Sequence, residues 1–143
     1  MIVYLYKVLT KKAKYALNAL VYLSRNKDKE VPKSAERIAK DNNIPKKFLE
    51  SILADMTKVG ILSSVQGKGG GYVLRKLPQQ ISMVEIIRLF DGAVGLIPCA
   101  THRYFKPCHE CNDVESCKIR WAFKELRDIN VEFLKDKTIH DLL

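Results

Sequence analysis

Long apolar runs, internal repeats and catalytic signatures are all missing from these 143 residues. No uninterrupted apolar stretch approaches the roughly 18 residues that a membrane-spanning helix needs. The apolar opening Met1-Ile-Val-Tyr-Leu-Tyr-Lys-Val-Leu has neither a basic leader nor a small-residue cleavage site, so it does not read as a secretory signal. There is no Ser/His/Asp arrangement, no His-Glu-x-x-His helix and no acidic pair in a glycine-lined cleft, and catalysis has no visible machinery. No segment is of low complexity. At 47% hydrophobic and 29% charged residues, the composition is that of an ordinary globular chain, sized for one domain or one domain with a short appendage. A cytosolic protein that is not an enzyme is expected.

Charge, by contrast, is abundant and unevenly placed. The 25 basic and 16 acidic side chains leave a formal charge of +9. Residues 1–80 carry 16 basic and 6 acidic groups, a net of +10, and residues 81–143 carry 9 and 10, a net of −1. A localised positive excess concentrates polyanions, and counterion release from phosphates makes such binding favourable and salt-dependent. Nucleic acid is the polyanion to test for.

Periodicity places the elements. Ala13, Ala16, Leu17, Leu20, Val21 and Leu23 recur at helical spacing, with Lys11, Lys12 and Lys14 at the helix start and a polar loop from Asn26 to Glu30 beyond it. Ser34 is an N-cap for a short helix from about Ala35 to Lys40, lacking the acidic partner of a full capping box because Arg37 stands there. Ile44-Pro45 opens a third helix with proline in the first turn, a buried stripe of Phe48, Leu49, Ile52, Leu53 and Met56, and Gly60 as its stop. Two short strands, 61–66 and 71–75, flank the run Gly67-Lys-Gly-Gly, which suits a tight hairpin. Helix, short helix, turn, helix and hairpin in this order predict a mainly α fold with a small β wing, a winged helix-turn-helix whose third helix enters the major groove.

Beyond the wing, Pro78-Gln-Gln leads to Ser82, and Glu85 three residues later completes a capping box for a helix through Phe90. Residues from about Val114 to Lys135 read as one long helix with Ile119, Ala122, Phe123, Leu126, Ile129, Asn130, Phe133 and Leu134 on one side. A head of three helices cannot bury that stripe as well as its own first helix, so a homodimer seam along the last helix is expected. The predicted organisation is a DNA-binding region over 1–77, a connecting helix over 78–92, a cysteine-rich loop over 93–117, a dimerisation helix over 114–136 and a tail over 137–143.

Two constellations carry chemistry. The Gly67-Lys68-Gly69-Gly70-Gly71 run lacks the Gly-Lys-Ser/Thr of a phosphate loop and does not open a helix. As a wing tip it brings bare backbone to DNA and Lys68 to a phosphate or the minor groove. Lys46, Lys47 and Glu50 fall at the start of the third helix, the part of a recognition helix that faces base edges, where lysine suits guanine or phosphate and glutamate suits the cytosine amino group. The second constellation is Cys99, Cys108, Cys111 and Cys117, all within one loop. Thiolates so concentrated in a cytosolic chain suit zinc or an iron–sulfur cluster. A disulfide framework conflicts with the compartment, and a redox pair at Cys108 and Cys111 lacks the βαβ surroundings of that motif. His102 and His109 lie in the same loop and could replace a thiolate as ligand, although a surface role is the first reading of each, and His140 has no evident partner. Trp121 and Phe123 are assigned to core or dimer packing.

Three segments together resemble the Rrf-two family of bacterial winged-helix regulators, which includes regulators of the IscR and NsrR kinds. They are Leu9-Thr-Lys-Lys-Ala-Lys-Tyr-Ala-Leu at the first helix, Leu49-Glu-Ser-Ile-Leu through Gly67-Lys-Gly-Gly-Gly-Tyr at recognition helix and wing, and the cysteine loop before a long helix. The resemblance runs from about Val8 to the C-terminus. It implies a dimer on palindromic promoter DNA, with Thr10, Lys11, Lys12, Lys46, Lys47, Glu50, Gln66, Lys68, Gly69 and Gly70 as DNA-contact positions. It also implies an iron–sulfur cluster that tunes DNA affinity, held by three loop cysteines. Cys99, Cys111 and Cys117 are the implied trio, because the family's last two cysteines lie five residues apart. Regulators of the IscR kind add a histidine shortly after the last cysteine, where this chain has Arg120. Those of the NsrR kind use a carboxylate just before the first-helix tyrosine, where it has Lys14. Cys108 is then the candidate fourth ligand, and all-cysteine ligation permits a two-iron cluster, a four-iron cluster or zinc. Gln66 stands where related wings often carry arginine, which implies a different operator.

Overall fold

The computed structural model of the chain describes residues 9–26, 28 and 30–143. The apolar opening before Leu9, and Lys27 and Lys29 of the loop after the first helix, lie outside the described residues. Helix α1 spans Lys11–Ser24, with Thr10 as an N-cap whose side chain accepts from the Ala13 N–H. Ala13, Ala16, Leu17, Leu20 and Leu23 are buried along it, as their spacing predicts. Helix α2 spans Ala35–Asp41 and is capped by Ser34, which accepts from the Arg37 N–H. Helix α3 spans Lys46–Lys58, with Pro45 as its N-cap rather than inside its first turn, and it buries Leu49, Ile52, Leu53 and Met56. Phe48 departs from the predicted stripe. It is 39% exposed and meets Tyr15 edge-on, with ring centroids 5.7 Å apart.

Strands β1 (Leu62–Val65) and β2 (Gly71–Leu74) pair antiparallel, Leu62 opposite Leu74 and Val65 opposite Gly71. The wing is pinned to the start of α2 by two backbone hydrogen bonds between Lys33 and Tyr72, at 2.8 and 3.0 Å. Gly71 makes that contact possible: its φ is +149°, and a Cβ there would lie 2.3 Å from the Lys33 carbonyl oxygen.

Helix α4 (Met83–Asp91) begins at Ser82, which accepts from the Glu85 N–H. The Glu85 carboxylate does not close the predicted capping box. It reaches Lys76 Nζ at 2.7 Å, because the strand–helix connection brings that ammonium within its range. Helix α5 spans Lys118–Asp136, starting four residues later than the hydrophobic pattern suggests. The Asp113 carboxylate accepts from the Glu115 N–H and holds that stretch as a turn, a local bond that competes with helix, and Cys117 becomes the N-cap.

The final residues are not a free tail. Thr138 bridges Ser82, the Ile139 N–H donates to the Ile81 carbonyl at 2.9 Å, and Ile139 is fully buried in the core with Leu20, Ile81 and Ile86. A short 3₁₀ turn over Ile139–Leu142 follows, where His140 approaches Gln79 at 3.4 Å. The resulting core unites α1, α3, β1, α4 and the C-terminus, so the head needs no second chain to bury α1. Helix α5 is different. Ile119, Trp121, Ile129 and Phe133 are 59–66% exposed and Leu126 is 39% exposed. Ile119, Ala122, Leu126, Ile129 and Phe133 are spaced 3-4-3-4, the spacing of a helix–helix seam. Trp121 is thus no core residue of the single chain. No described helix is long and apolar enough to cross a membrane.

Candidate nucleic-acid interface and thiol site

Lys46, Lys47 and Glu50 are exposed on the first turns of α3, while Leu49, Ile52, Leu53 and Met56 anchor the helix to the core. In the wing, Gln66, Lys68 and Gly69 are exposed and Gly70 is half-buried. Gly70 closes the hairpin by donating to the Gly67 carbonyl at 3.0 Å, and a Cβ at Gly70 would lie 2.2 Å from the Val65 carbonyl oxygen. Lys11 is exposed at the start of α1.

Thr10 and Lys12 have partners within the chain that spacing does not reveal. The Thr10 N–H donates to Asp91 Oδ2 at 3.1 Å, and its hydroxyl donates to the other oxygen of the same carboxylate. Asp91 is the last residue of α4, where a negative charge opposes that helix's dipole, and its setting at the start of α1 compensates. Lys12 Nζ bonds Asp55 on α3 at 3.1 Å and lies 5.4 Å from the centre of the Phe90 ring. That ammonium, hydrogen-bonded to Asp55, is the main reason the Asp55 carboxyl titrates below its ordinary range.

The four cysteines gather at the N-terminal end of α5. Cys99 is buried in a 3₁₀ turn over Pro98–Ala100, Cys111 and Cys117 are half-buried, and Cys108 is exposed. Cys108 Sγ stands 3.7 Å from Cys99 Sγ. A disulfide would need about 2.05 Å, whereas two sulfurs on one tetrahedral metal at about 2.3 Å lie roughly 3.8 Å apart. Cys117 is close enough to Cys111 to act on its thiol electrostatically, as Cys108 does. Burial, then the neighbouring sulfur, pushes the Cys99 and Cys111 thiols up, so without a metal they stay protonated at neutral pH. Among the described residues no three His, Cys, Asp or Glu side chains surround one point as a metal ion requires; the thiols that meet directly are Cys99 and Cys108. The donor chemistry, all thiol with one pair at ligand spacing, fits zinc or an iron–sulfur centre. His102 turns away, 3.5 Å from Asp128 on α5, and His109 is exposed.

Sequence reasoning missed two arginines. Arg127 is 5% exposed and donates to the Ala100 carbonyl at 2.6 Å, while Arg120 donates to the Cys99 carbonyl at 3.0 Å. No motif announces them. A basic residue on an otherwise apolar helix face was the available signal.

A helix-turn-helix with a glycine-tipped wing and an exposed basic recognition helix defines a winged-helix DNA-binding protein. The chain belongs to the Rrf2 family of transcriptional regulators. Residues 9–143 match that family's model, described as an iron-dependent transcriptional regulator. The chain is 36% identical over 138 residues to an rrf2-like helix-turn-helix transcriptional regulator of Rhodobacter capsulatus, covering 95% of this chain and 92% of the relative. It is 27% identical over 135 residues to IscR of Pectobacterium atrosepticum, covering 94% and 78%. Among solved structures it resembles CymR, the global cysteine regulator of B. subtilis, with a TM-score of 0.74, 26% identity and coverage of 94% and 95%. These relatives are transcriptional regulators, and the chain is not an enzyme.

Proposed function

We propose that this protein is a cytoplasmic, dimeric transcriptional regulator that binds palindromic promoter DNA, with its affinity set by an iron–sulfur cluster at the cysteine loop. The observation that carries the DNA half is the exposure of Lys46, Lys47 and Glu50 beside a wing tipped by Lys68. Glu50 and the two lysines read base edges, and Gln66, Lys68, Gly69 and Gly70 follow the adjacent groove. Lys11 meets a phosphate, and Thr10 and Lys12 join it only by sharing or exchanging their partners Asp91 and Asp55. Two recognition helices about 34 Å apart would read successive major grooves, so a small change in head spacing alters affinity strongly. The segments 1–77, 78–92, 93–117 and 118–136 then serve as reader, connector, sensor loop and dimer helix.

The observation that supports the sensor half is the Cys99–Cys108 spacing of 3.7 Å within an all-thiol group. Cys99, Cys111 and Cys117 would hold the centre, with Cys108 as fourth ligand in the absence of a histidine or carboxylate at the positions other regulators use. A bound two-iron or four-iron cluster would supply sensitivity to oxidants, nitric oxide or iron supply. Because Cys117 caps α5 and Cys99 is tied to it through Arg120, filling or emptying the loop acts directly on the helix that joins the two heads.

Iron, acid-labile sulfide and zinc per monomer, measured on protein purified without oxygen, test the sensor half. Matching iron and sulfide support a cluster. Zinc alone makes the loop a structural staple. For the DNA half, a palindrome selected from random duplexes should bind about a thousandfold more tightly than its scrambled counterpart. Equal affinity for both would leave only non-specific binding, and identical operator affinity with and without the metal centre would end the sensing mechanism.

A further inference from the structure

Arg120 occupies a position that neither the DNA-binding surface nor the set of thiols accounts for. Its side chain is 16% exposed, yet its nearest carboxylate, Glu115, is 3.5 Å away and 86% exposed. Such a partner adds little, so ion pairing does not explain burying a guanidinium. Its hydrogen bonds do. Nε donates to the Cys99 carbonyl at 3.0 Å and Nη1 to the Val114 carbonyl at 3.4 Å, while the Arg120 backbone N–H donates to Cys117 Sγ at 3.4 Å. The guanidinium also lies 5.5 Å from the centre of the Phe105 ring, on the segment that runs to Cys108. One residue therefore touches the turn bearing Cys99, the approach to Cys108 and the stretch ending in Cys117. Two helical turns on, Arg127 holds the next carbonyl, Ala100, from the same face of α5. Among the described residues the backbone between Pro98 and Thr101 has no ladder partner beyond two tight-turn bonds, so these donors fix where the Cys99 turn sits.

We infer that Arg120 is a positioning residue of the thiol site: its forked guanidinium sets the distance between the Cys99 turn and Cys117, and so whether both sulfurs serve one metal centre. The inference rests on reading the cysteine loop as a metal–thiolate site. It assigns a supporting role to a side chain that stands where other regulators place a ligand. Lysine keeps the charge but loses the fork, so it does not replace arginine here.

The experiment uses the reduced, metal-free full-length protein titrated with cobalt(II), whose thiolate charge-transfer absorption reports sulfur ligation. Arg120→Gln and Arg120→Lys should each weaken cobalt binding by about tenfold or more and reduce the charge-transfer intensity per cobalt, as loss of an outer-shell partner does. In parallel, iodoacetamide labelling of the metal-free proteins followed by mass spectrometry should show Cys99 reacting at least about tenfold faster in both variants, with Cys108 and the melting temperature little changed. A parent-like cobalt affinity and parent-like Cys99 protection in both variants would overturn the inference. If the parent protein takes up no cobalt, the metal-site reading fails, and the Cys99 labelling ratio alone decides the role of Arg120. Full rescue by lysine would also refute the fork, leaving charge as the active property.

Discussion

Ile129→Asp should convert a dimer to monomers without unfolding either. Ile129 lies on the exposed face of α5, 65% accessible, in line with Ile119, Leu126 and Phe133. Burying a whole isoleucine side chain contributes about 1.5–3 kcal/mol, so covering this exposed fraction is worth roughly 1–2 kcal/mol. In a symmetric dimer the residue appears twice at the seam, which raises the loss to roughly 2–4 kcal/mol. At about 1.4 kcal/mol per tenfold, the dimer dissociation constant should rise by roughly 30- to 700-fold. An aspartate desolvated at the seam weakens it further, so this is a lower bound. Within one chain the substituted side chain points to solvent, and the melting temperature of the isolated monomer should hardly move. Sedimentation equilibrium over a wide concentration range measures the constant. A variant that dimerises as tightly as the parent would refute the assignment of this face, as would a parent protein that stays monomeric at high micromolar concentration.

Further outcomes follow from the wing, from Ile139 and from the paired aspartates. Lys68→Ala should weaken DNA binding across sequences and flatten the log–log salt dependence by about 0.9 per protomer, measured by fluorescence anisotropy; Gly70→Ala should do more, since its Cβ would strike the Val65 carbonyl and spread the wing. Ile139→Ala should cost about 2–5 kcal/mol in urea unfolding, because the residue is fully buried in the shared core, and a loss below about 1 kcal/mol would mean that the C-terminus does not seal it. Acid should destabilise the fold below about pH 4. Asp41 is held below its ordinary value of 3.8 by hydrogen bonds from Tyr22 and Arg37, and Asp55 by Lys12, so their contribution is present above that value and lost as pH falls through the lower folded ones. Asp55→Asn should make the acid limb of a stability–pH curve shallower, and an unchanged limb would show that Lys12 and Asp55 do not interact in solution.

How far the sequence could be read depended on the range of the interaction. Ser34, Ser82 and the stripe of Leu49, Ile52, Leu53 and Met56 act within a turn or two of helix, and local chemistry announced them. The wing was legible for the same reason, since only glycines tolerate Gly67-Lys-Gly-Gly as a hairpin. The start of α5 was misjudged because apolar spacing continues through Val114, while an Asp113 turn and a cysteine cap decide the boundary. Ile139 is not legible because Lys137-Thr-Ile-His-Asp-Leu-Leu is too short to show a period, and its burial depends on Ile81, some 58 residues earlier in the chain. Phe48 fell on the right helical face by count, but its ring edge finds Tyr15 at the rim instead of the core. Of the site, the cysteines and the basic tip were visible as residue types. Their supports, Asp91, Arg120 and Arg127, were not, because each acts on backbone or on a residue far away in sequence.

Those supports also tie the cysteine loop to the helices of the reading head. Cys99 and its neighbours are bound to α5 by Arg120 and Arg127, and the same loop returns to α4 where the Tyr104 ring lies over Gly92, so close that a Cβ there would stand 3.0 Å from it. Gly92 follows Asp91, whose carboxylate holds both the N–H and the hydroxyl of Thr10 at the start of α1. Two residues later Lys12 packs on Phe90 and bonds Asp55 in α3. Every step in this series is a direct contact or a link along the chain itself. Packed elements respond to displacement by shifting together rather than by deforming. A change in the Cys99 turn large enough to move Tyr104 therefore meets the end of α4 first, and α4 is bonded to the helix that in turn holds α3. The thiol loop and the reading head are thus joined by contacts within a single chain, so the sensing proposed above has a route to α3 besides the proposed dimer helix.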